Sequence, residues 1–139
     1  ADLDRFREWN DARGHLAGDR VLRRAARALQ DASRPQDLVA RYGGDEFAVV
    51  VGDVDAETLP AFAERLRRSV AEALDDETDG FLGSASAGFE LYDAARHRTP
   101  EDLLRDADRA LYEARQDPRS TRKPNVVQQT PSGKWSLRP

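Results

Sequence analysis

The chain has 139 residues, 39% hydrophobic and 35% charged, with a net charge of −4 and no cysteine. That length suits one domain with a real core. The charge balance leaves no overall basic field for gripping nucleic acid, disulfides and thiolate metal sites are excluded, and no run approaches the ~20 apolar residues of a membrane span.

Asp4 to Asp11 is predicted to form a short helix with Phe6 and Trp9 on one side, ended by Gly14-His15. A second helix is predicted after Gly18-Asp19. Val21, Leu22, Ala25, Ala26 and Leu29 are its apolar face, and Ser33-Arg34-Pro35 stops it. Leu38-Val39-Ala40 and the run from Phe47 to Val51 read as strands joined by a hairpin turn at Gly43-Gly44. Glu57 to Leu74 is the clearest helix, with Leu59, Phe62, Ala63, Leu66, Val70 and Leu74 in one stripe. Asp75 to Gly80 reads as a solvated acidic loop. Phe81 to Tyr92 reads as a strand whose small residues, Gly83 to Gly88, imply close packing on one face.

Thr99-Pro100-Glu101-Asp102 is a helix start, with Thr at the cap, Pro at the first helical position and an acid two further on. Leu103, Leu104, Ala107, Leu111 and Ala114 continue that helix, and Pro118 stops it. Val126-Val127 suggests a strand, Thr130 to Gly133 a turn, and Trp135-Ser136-Leu137 a last strand. The order predicts an α/β sandwich with a largely antiparallel central sheet flanked by helices.

Two short stretches carry chemistry. Arg41 to Phe47, RYGGDEF, sets two glycines against two acids at a hairpin tip, where a turn needs glycine but not paired carboxylates. Asp2 and Asp4 alternate around Leu3. Two readings of these acids stand side by side. They start the following helix, where acids favour the N-terminal dipole, or they join Asp45 and Glu46 around a hard cation such as Mg²⁺.

The stretch DLDRFREWNDARGHLAGD followed by RYGGDEF resembles the GGDEF domain of diguanylate cyclases, from Ala1 to about Val127, with residues 128–139 left as a tail. The resemblance implies a palm-like fold, shared with nucleotide polymerases and adenylyl cyclases, and the joining of two GTP molecules into cyclic di-GMP with release of two pyrophosphates. Asp2 and Asp45 match side-chain ligands of two Mg²⁺ ions, with Mn²⁺ as a substitute, and the Leu3 carbonyl matches a backbone ligand. Glu46 matches the acid that binds metal and assists deprotonation of the 3′-hydroxyl. Asn10 and Asp19 match the pair that hydrogen-bonds guanine, and Phe6 belongs to the same substrate-binding motif. Arg7 stands where the family usually has lysine, facing the terminal phosphates. Arg115 and Arg119 stand at two further basic positions. Gly43 and Gly44 match the glycines that let the backbone approach the α-phosphate.

The resemblance also implies a homodimer for catalysis, a cytoplasmic location, a regulatory domain fused before Ala1, and a helix and strand ahead of Asp2. Pro118 replaces a family glycine before Arg119. Arg34 and Asp37 form an R-x-x-D tetrad in the register of the family's inhibitory product site, against the plain alternative of a surface turn. A non-catalytic module binding GTP or cyclic di-GMP, and a palm cyclase making another cyclic dinucleotide, are the alternative functions. His15 reads as a packing or capping residue, Trp9 and Trp135 as packing, and His97 receives no role.

Overall fold

A computed structural model describes residues 1–78, 81–82 and 84–116, and the backbone of two strands beyond them. The elements are β1 (Asp2–Leu3), α1 (Phe6–Arg13), α2 (His15–Ala32), β2 (Leu38–Arg41), β3 (Phe47–Val50), α3 (Leu59–Thr78), β4 (Ala85–Gly88), α4 (Pro100–Gln116), β5 (Val126–Gln129) and β6 (Trp135–Arg138). One sheet runs β1-β4-β5-β6, and β2-β3 form a separate antiparallel hairpin. β4 and β5 are parallel; the other pairs are antiparallel.

The two sheets meet at β1. An antiparallel bridge joins Asp2 to Glu46. Beside it, the Ala1 nitrogen donates to the Phe47 carbonyl at 2.8 Å, and Phe47 N–H donates to the Ala1 carbonyl at 2.7 Å. On the other edge Asp2 pairs with Ser86 and Leu3 with Ala85. β1 therefore lies between the hairpin and β4. Alternation along a strand then sends its two side chains to opposite faces. Leu3 joins the core cluster with Val21, Leu29, Phe62, Val70 and Leu74 of α2 and α3. Asp2 faces Arg115 of α4.

Local chemistry explains where the elements differ from expectation. α2 begins at His15 rather than after Gly18-Asp19. The break is made by Gly14 at φ 82, which a residue with a side chain rarely adopts. α3 continues through the acidic stretch to Thr78 instead of yielding to a loop at Asp75. Thr78 Oγ1 donates to the Leu74 carbonyl at 2.7 Å and accepts the Leu82 N–H at 2.9 Å, while Glu77 pairs with Arg20 at 3.4 Å. β4 is only Ala85–Gly88, much shorter than the predicted strand.

α4 starts as its cap predicts: Thr99 Oγ1 accepts the Asp102 N–H at 3.3 Å, and Asp102 Oδ2 accepts the Thr99 N–H at 3.0 Å. β5 and β6 match the last two predicted strands. The expected division after Val127 falls within β5. Pro118, Arg119 and the turn at Thr130 to Gly133 lie outside the described residues.

The small residues of β4 do pack closely. A Cβ on Gly88 would lie 2.6 Å from Leu111 Cα and 2.7 Å from the Ala107 carbonyl oxygen, so α4 rests its backbone on this glycine. Those atoms cannot rotate away. Gly88→Ala is therefore expected to destabilise the fold by ~1–3 kcal/mol or more, read from urea unfolding. An unchanged midpoint would show that α4 has room to move off the strand.

Candidate functional site

The site is built where β1, the hairpin and the last turn of α4 converge. Asp2 is 2% exposed, yet it carries a carboxyl group. Arg115 Nη1 approaches Asp2 Oδ2 at 3.2 Å. Asp2 Oδ1 is buried with no hydrogen-bond partner among the described residues. Burial is the main force holding this carboxyl above the ordinary range, at about 6. Arg115 pulls it down, while Asp45, Asp4 and Glu46 push it up further. Asp4 is engaged differently, accepting from Ser86 Oγ at 2.8 Å.

The hairpin tip is closed by its own backbone. Glu46 O accepts the N–H groups of Tyr42 at 2.8 Å and Gly43 at 3.3 Å. Leu3 N–H donates to Asp45 O at 3.2 Å, which ties the tip to β1. Arg41 locks the far side: its Nε donates to the carbonyls of Gly43 and Gly44, each at 3.1 Å, and Nη2 donates to Gly44 at 2.7 Å. The two glycines have different reasons. A Cβ on Gly43 would lie 2.7 Å from Glu46 Oε2, whereas a Cβ on Gly44 would meet nothing within 4 Å. Gly43 leaves room for the protein's own carboxylate; Gly44 leaves open space.

That space belongs to a cleft of about 370 Å³ between the hairpin and the α1–α2 pair. Phe6, Arg7, Asn10, Asp19, Gly44 and Asp45 line it, so the structure brings these sequence-predicted residues together. His15, Gly18, Leu22 and Arg41 line it too and were not foreseen as site residues. Asp2, Leu3, Gly43, Glu46 and Arg115 stand outside that lining, beside the tip. Arg119 lies outside the described residues. His15, expected to pack or cap, contacts Asn10: His15 Nδ1 and Asn10 Nδ2 are 2.9 Å apart.

The donor set suits a divalent cation in part. An orphaned buried carboxylate oxygen on Asp2, with Asp45 and Glu46 near enough to raise its affinity for protons, is chemistry that a cation would relieve. Among the described residues, however, no three His, Asp or Glu side chains are grouped closely enough to hold a metal ion by themselves. Such a set fits an ion that completes its shell with substrate phosphates, as Mg²⁺ commonly does.

Arg34 and Asp37 close a turn on themselves. Asp37 Oδ2 accepts the Arg34 N–H at 2.8 Å, and Arg34 O accepts the Asp37 N–H at 3.0 Å. The Arg34 guanidinium turns away from Asp37 to the Phe62 ring, 5.9 Å from its centroid, where Arg65 also stacks at 4.7 Å. Asp37 Oδ1 is buried without a partner among the described residues. His97, given no role, is a buried structural residue: Nδ1 accepts the Asp93 N–H at 2.9 Å, and Nε2 lies 3.3 Å from Asp106 Oδ2. Trp9 packs as expected, 5.3 Å from Phe81 between centroids.

A sheet flanked by helices, with a hairpin bridged to β1 and a cleft at the hairpin tip, is a palm-like architecture. The crystal structure of the GGDEF domain of DgcB from Caulobacter crescentus, in complex with c-di-GMP, superposes with a TM-score of 0.73 and 30% identity, covering 91% of this chain and 73% of that one. The family model described as "Diguanylate cyclase, GGDEF domain" matches residues 1–121. The chain belongs to the GGDEF family, a family of nucleotidyltransferases. Diguanylate cyclase A of Treponema denticola is 37% identical over 126 residues, covering 86% of this chain and 32% of that protein. Cyclic di-GMP phosphodiesterase PdeB of Shewanella oneidensis is 38% identical over 118 residues, covering 82% of this chain and 13% of that protein. The chain thus spans a third or less of the length of these curated relatives.

The raised Asp2 pKa has a signed consequence. Its folded value of about 6 exceeds the unfolded value, so the folded state holds the proton more tightly. Asp2 therefore costs stability increasingly as pH rises from the unfolded pKa through the folded one, and the full penalty applies above it. In protein freed of metal by chelation, Asp2→Asn is expected to raise the melting temperature by ~3–6 °C at pH 8. The gain should vanish near pH 4. A variant that melts lower at pH 8 would mean that the Arg115 pair outweighs the burial of the charge.

Proposed function

We propose that this chain is the catalytic domain of a diguanylate cyclase, converting two GTP molecules into cyclic di-GMP and two pyrophosphates. The observation that carries the proposal is the cleft joining Phe6, Arg7, Asn10 and Asp19 to Gly44 and Asp45. A base would sit against Asn10 and Asp19, whose oxygens accept from guanine's N1–H and 2-amino group. Arg7, Arg115 and Arg119 would hold the terminal phosphates, donating in forks that a lysine would not reproduce. The open space at Gly44 would leave room for the α-phosphate close to the backbone.

A divalent cation, Mg²⁺ or Mn²⁺, held by Asp2, Asp45, Glu46 and the Leu3 carbonyl, supplies neutralisation of phosphate charge when bound. Glu46 would take up the proton of the attacking 3′-hydroxyl. One cleft holds one GTP and the product has two phosphodiester bonds, so two copies of the domain must face each other. Each 3′-hydroxyl then attacks the α-phosphate on the facing copy. A fused regulatory domain and a cytoplasmic location complete the proposal.

A second reading, a non-catalytic module that binds GTP or cyclic di-GMP, draws on one observation: the matching stretch also occurs within a protein named a phosphodiesterase. Incubating the full-length protein with GTP and Mg²⁺ and weighing the product separates the two. Cyclic di-GMP supports the cyclase; unchanged GTP supports the module; a different cyclic dinucleotide would redefine the substrate.

Three outcomes are expected if the cyclase reading is right. Asp45→Ala and Glu46→Ala each abolish product formation while leaving the fold intact by circular dichroism, and wild-type turnover in both would remove the acids from the chemistry. The rate per subunit falls steeply as the isolated domain is diluted, and a constant rate at concentrations where scattering shows only monomer would contradict the facing-pair geometry. Arg34→Ala binds cyclic di-GMP more weakly and relieves inhibition by the product, with the initial rate on GTP nearly unchanged. Equal product binding by calorimetry would leave Arg34 to Asp37 as a surface turn.

A further inference from the structure

The two ends of the Asn10 carboxamide are chemically opposite, one a donor and the other an acceptor. The nitrogen end is engaged: Nδ2 lies 2.9 Å from His15 Nδ1. Donation from Nδ2 requires an unprotonated Nδ1, which puts the ring proton on Nε2. The oxygen end is turned to α2, where a Cβ on Gly18 would run into Asn10 Oδ1 and lie 3.2 Å from Phe6 Cζ. His15 and Gly18 are three residues apart, so they share one face of the helix. Both line the cleft with Asn10 and Asp19. His15 thus holds the amide by its nitrogen, and Gly18 leaves the gap that its oxygen occupies.

We propose that His15 is a positioning residue that makes the cleft selective for a purine with a 2-amino group, by fixing the Asn10 carboxamide with its oxygen available to the base. This rests on the cyclase reading. With Nδ2 tied to His15, Asn10 offers the base an acceptor, and Asp19 offers only acceptors. Guanine meets that pair with N1–H and the 2-amino group. Hypoxanthine keeps N1–H but has no 2-amino group, so it leaves one acceptor unpaired. Adenine has neither donor on that edge. A freely rotating Asn10 could present its Nδ2 donor instead and would forfeit the preference for the 2-amino group. An acceptor covered by the bound base and left unpaired is what would make such discrimination effective.

The test compares binding of nonhydrolysable GTP, ITP and ATP analogues by calorimetry with Mg²⁺, using the whole chain and its His15→Ala, His15→Gln and Asn10→Ala variants. The wild type should prefer the guanine analogue over the hypoxanthine one. His15→Ala should reduce that preference by ~5–10-fold, chiefly by weakening the guanine analogue. His15→Gln, whose Oε1 can accept from Asn10 Nδ2, should recover most of it. A double variant carrying His15→Ala and Asn10→Ala should discriminate no worse than Asn10→Ala alone, because both substitutions remove one interaction. Equal weakening of both analogues by His15→Ala, or losses that add in the double variant, would overturn the proposal. A wild type that binds both analogues equally would also overturn it, while cyclic di-GMP formation by the same protein would leave the cyclase reading standing. A wild type that binds none of the three overturns both.

Discussion

Burying a carboxylate at the centre of a sheet sets the terms for the rest of this fold. Asp2 sits on a strand of two residues, bonded to β4 on one edge and bridged to the hairpin tip on the other. Because β1 is flanked on both sides, Leu3 can enter the core while Asp2 faces α4. The exchange of hydrogen bonds between Ala1 and Phe47 sets the hairpin against β1 in one register. That register brings Asp45 and Glu46 near enough to Asp2 to push its pKa up. Arg115 compensates one oxygen and leaves the other without a partner among the described residues. Under the proposed function, a bound cation would relieve that penalty.

Around that carboxylate, the site is organised by what is absent as much as by what is present. Glycine recurs wherever two groups need the same volume. Gly43 yields to the Glu46 carboxylate, Gly18 to the Asn10 amide and the Phe6 ring, and Gly88 to the backbone of α4. The hairpin tip then gains rigidity from Arg41, whose guanidinium gathers the Gly43 and Gly44 carbonyls. Glycine gives access but loses order, and a fork of charged donors restores it.

Some of this was legible in the sequence because the signals are local. The Thr99-Pro100 start of α4 and the hairpin at Gly43-Gly44 are decided by residues within a few positions of each other. Phe6, Arg7, Asn10 and Asp19, which the motif resemblance assigns to the substrate site, line one cleft with Gly44 and Asp45. The errors have a common cause in tertiary partners. Gly18-Asp19 looks like a helix break, but Gly18 serves a close contact with α1 inside α2. The acidic run after Leu74 looks solvated, but Arg20 and Arg24 of α2 draw Glu77 and Asp76 into pairs, and Thr78 caps the turn. His97 looks like a loop residue, and only the fold shows that Asp93 and Asp106 enclose it. Arg41 and His15 carried a signal only as members of the quoted motifs, because their contacts within the protein are to backbone or another side chain.

The link between the buried carboxylate and a bound cation is open to direct inspection. Crystals of the domain grown with Mn²⁺ and a nonhydrolysable GTP analogue would give an anomalous difference map. With nucleotide in the cleft, a manganese peak is expected in direct contact with the Asp2 carboxylate. Nucleotide bound with no peak at Asp2, or with Asp2 still paired only to Arg115, would contradict the role given to that carboxylate.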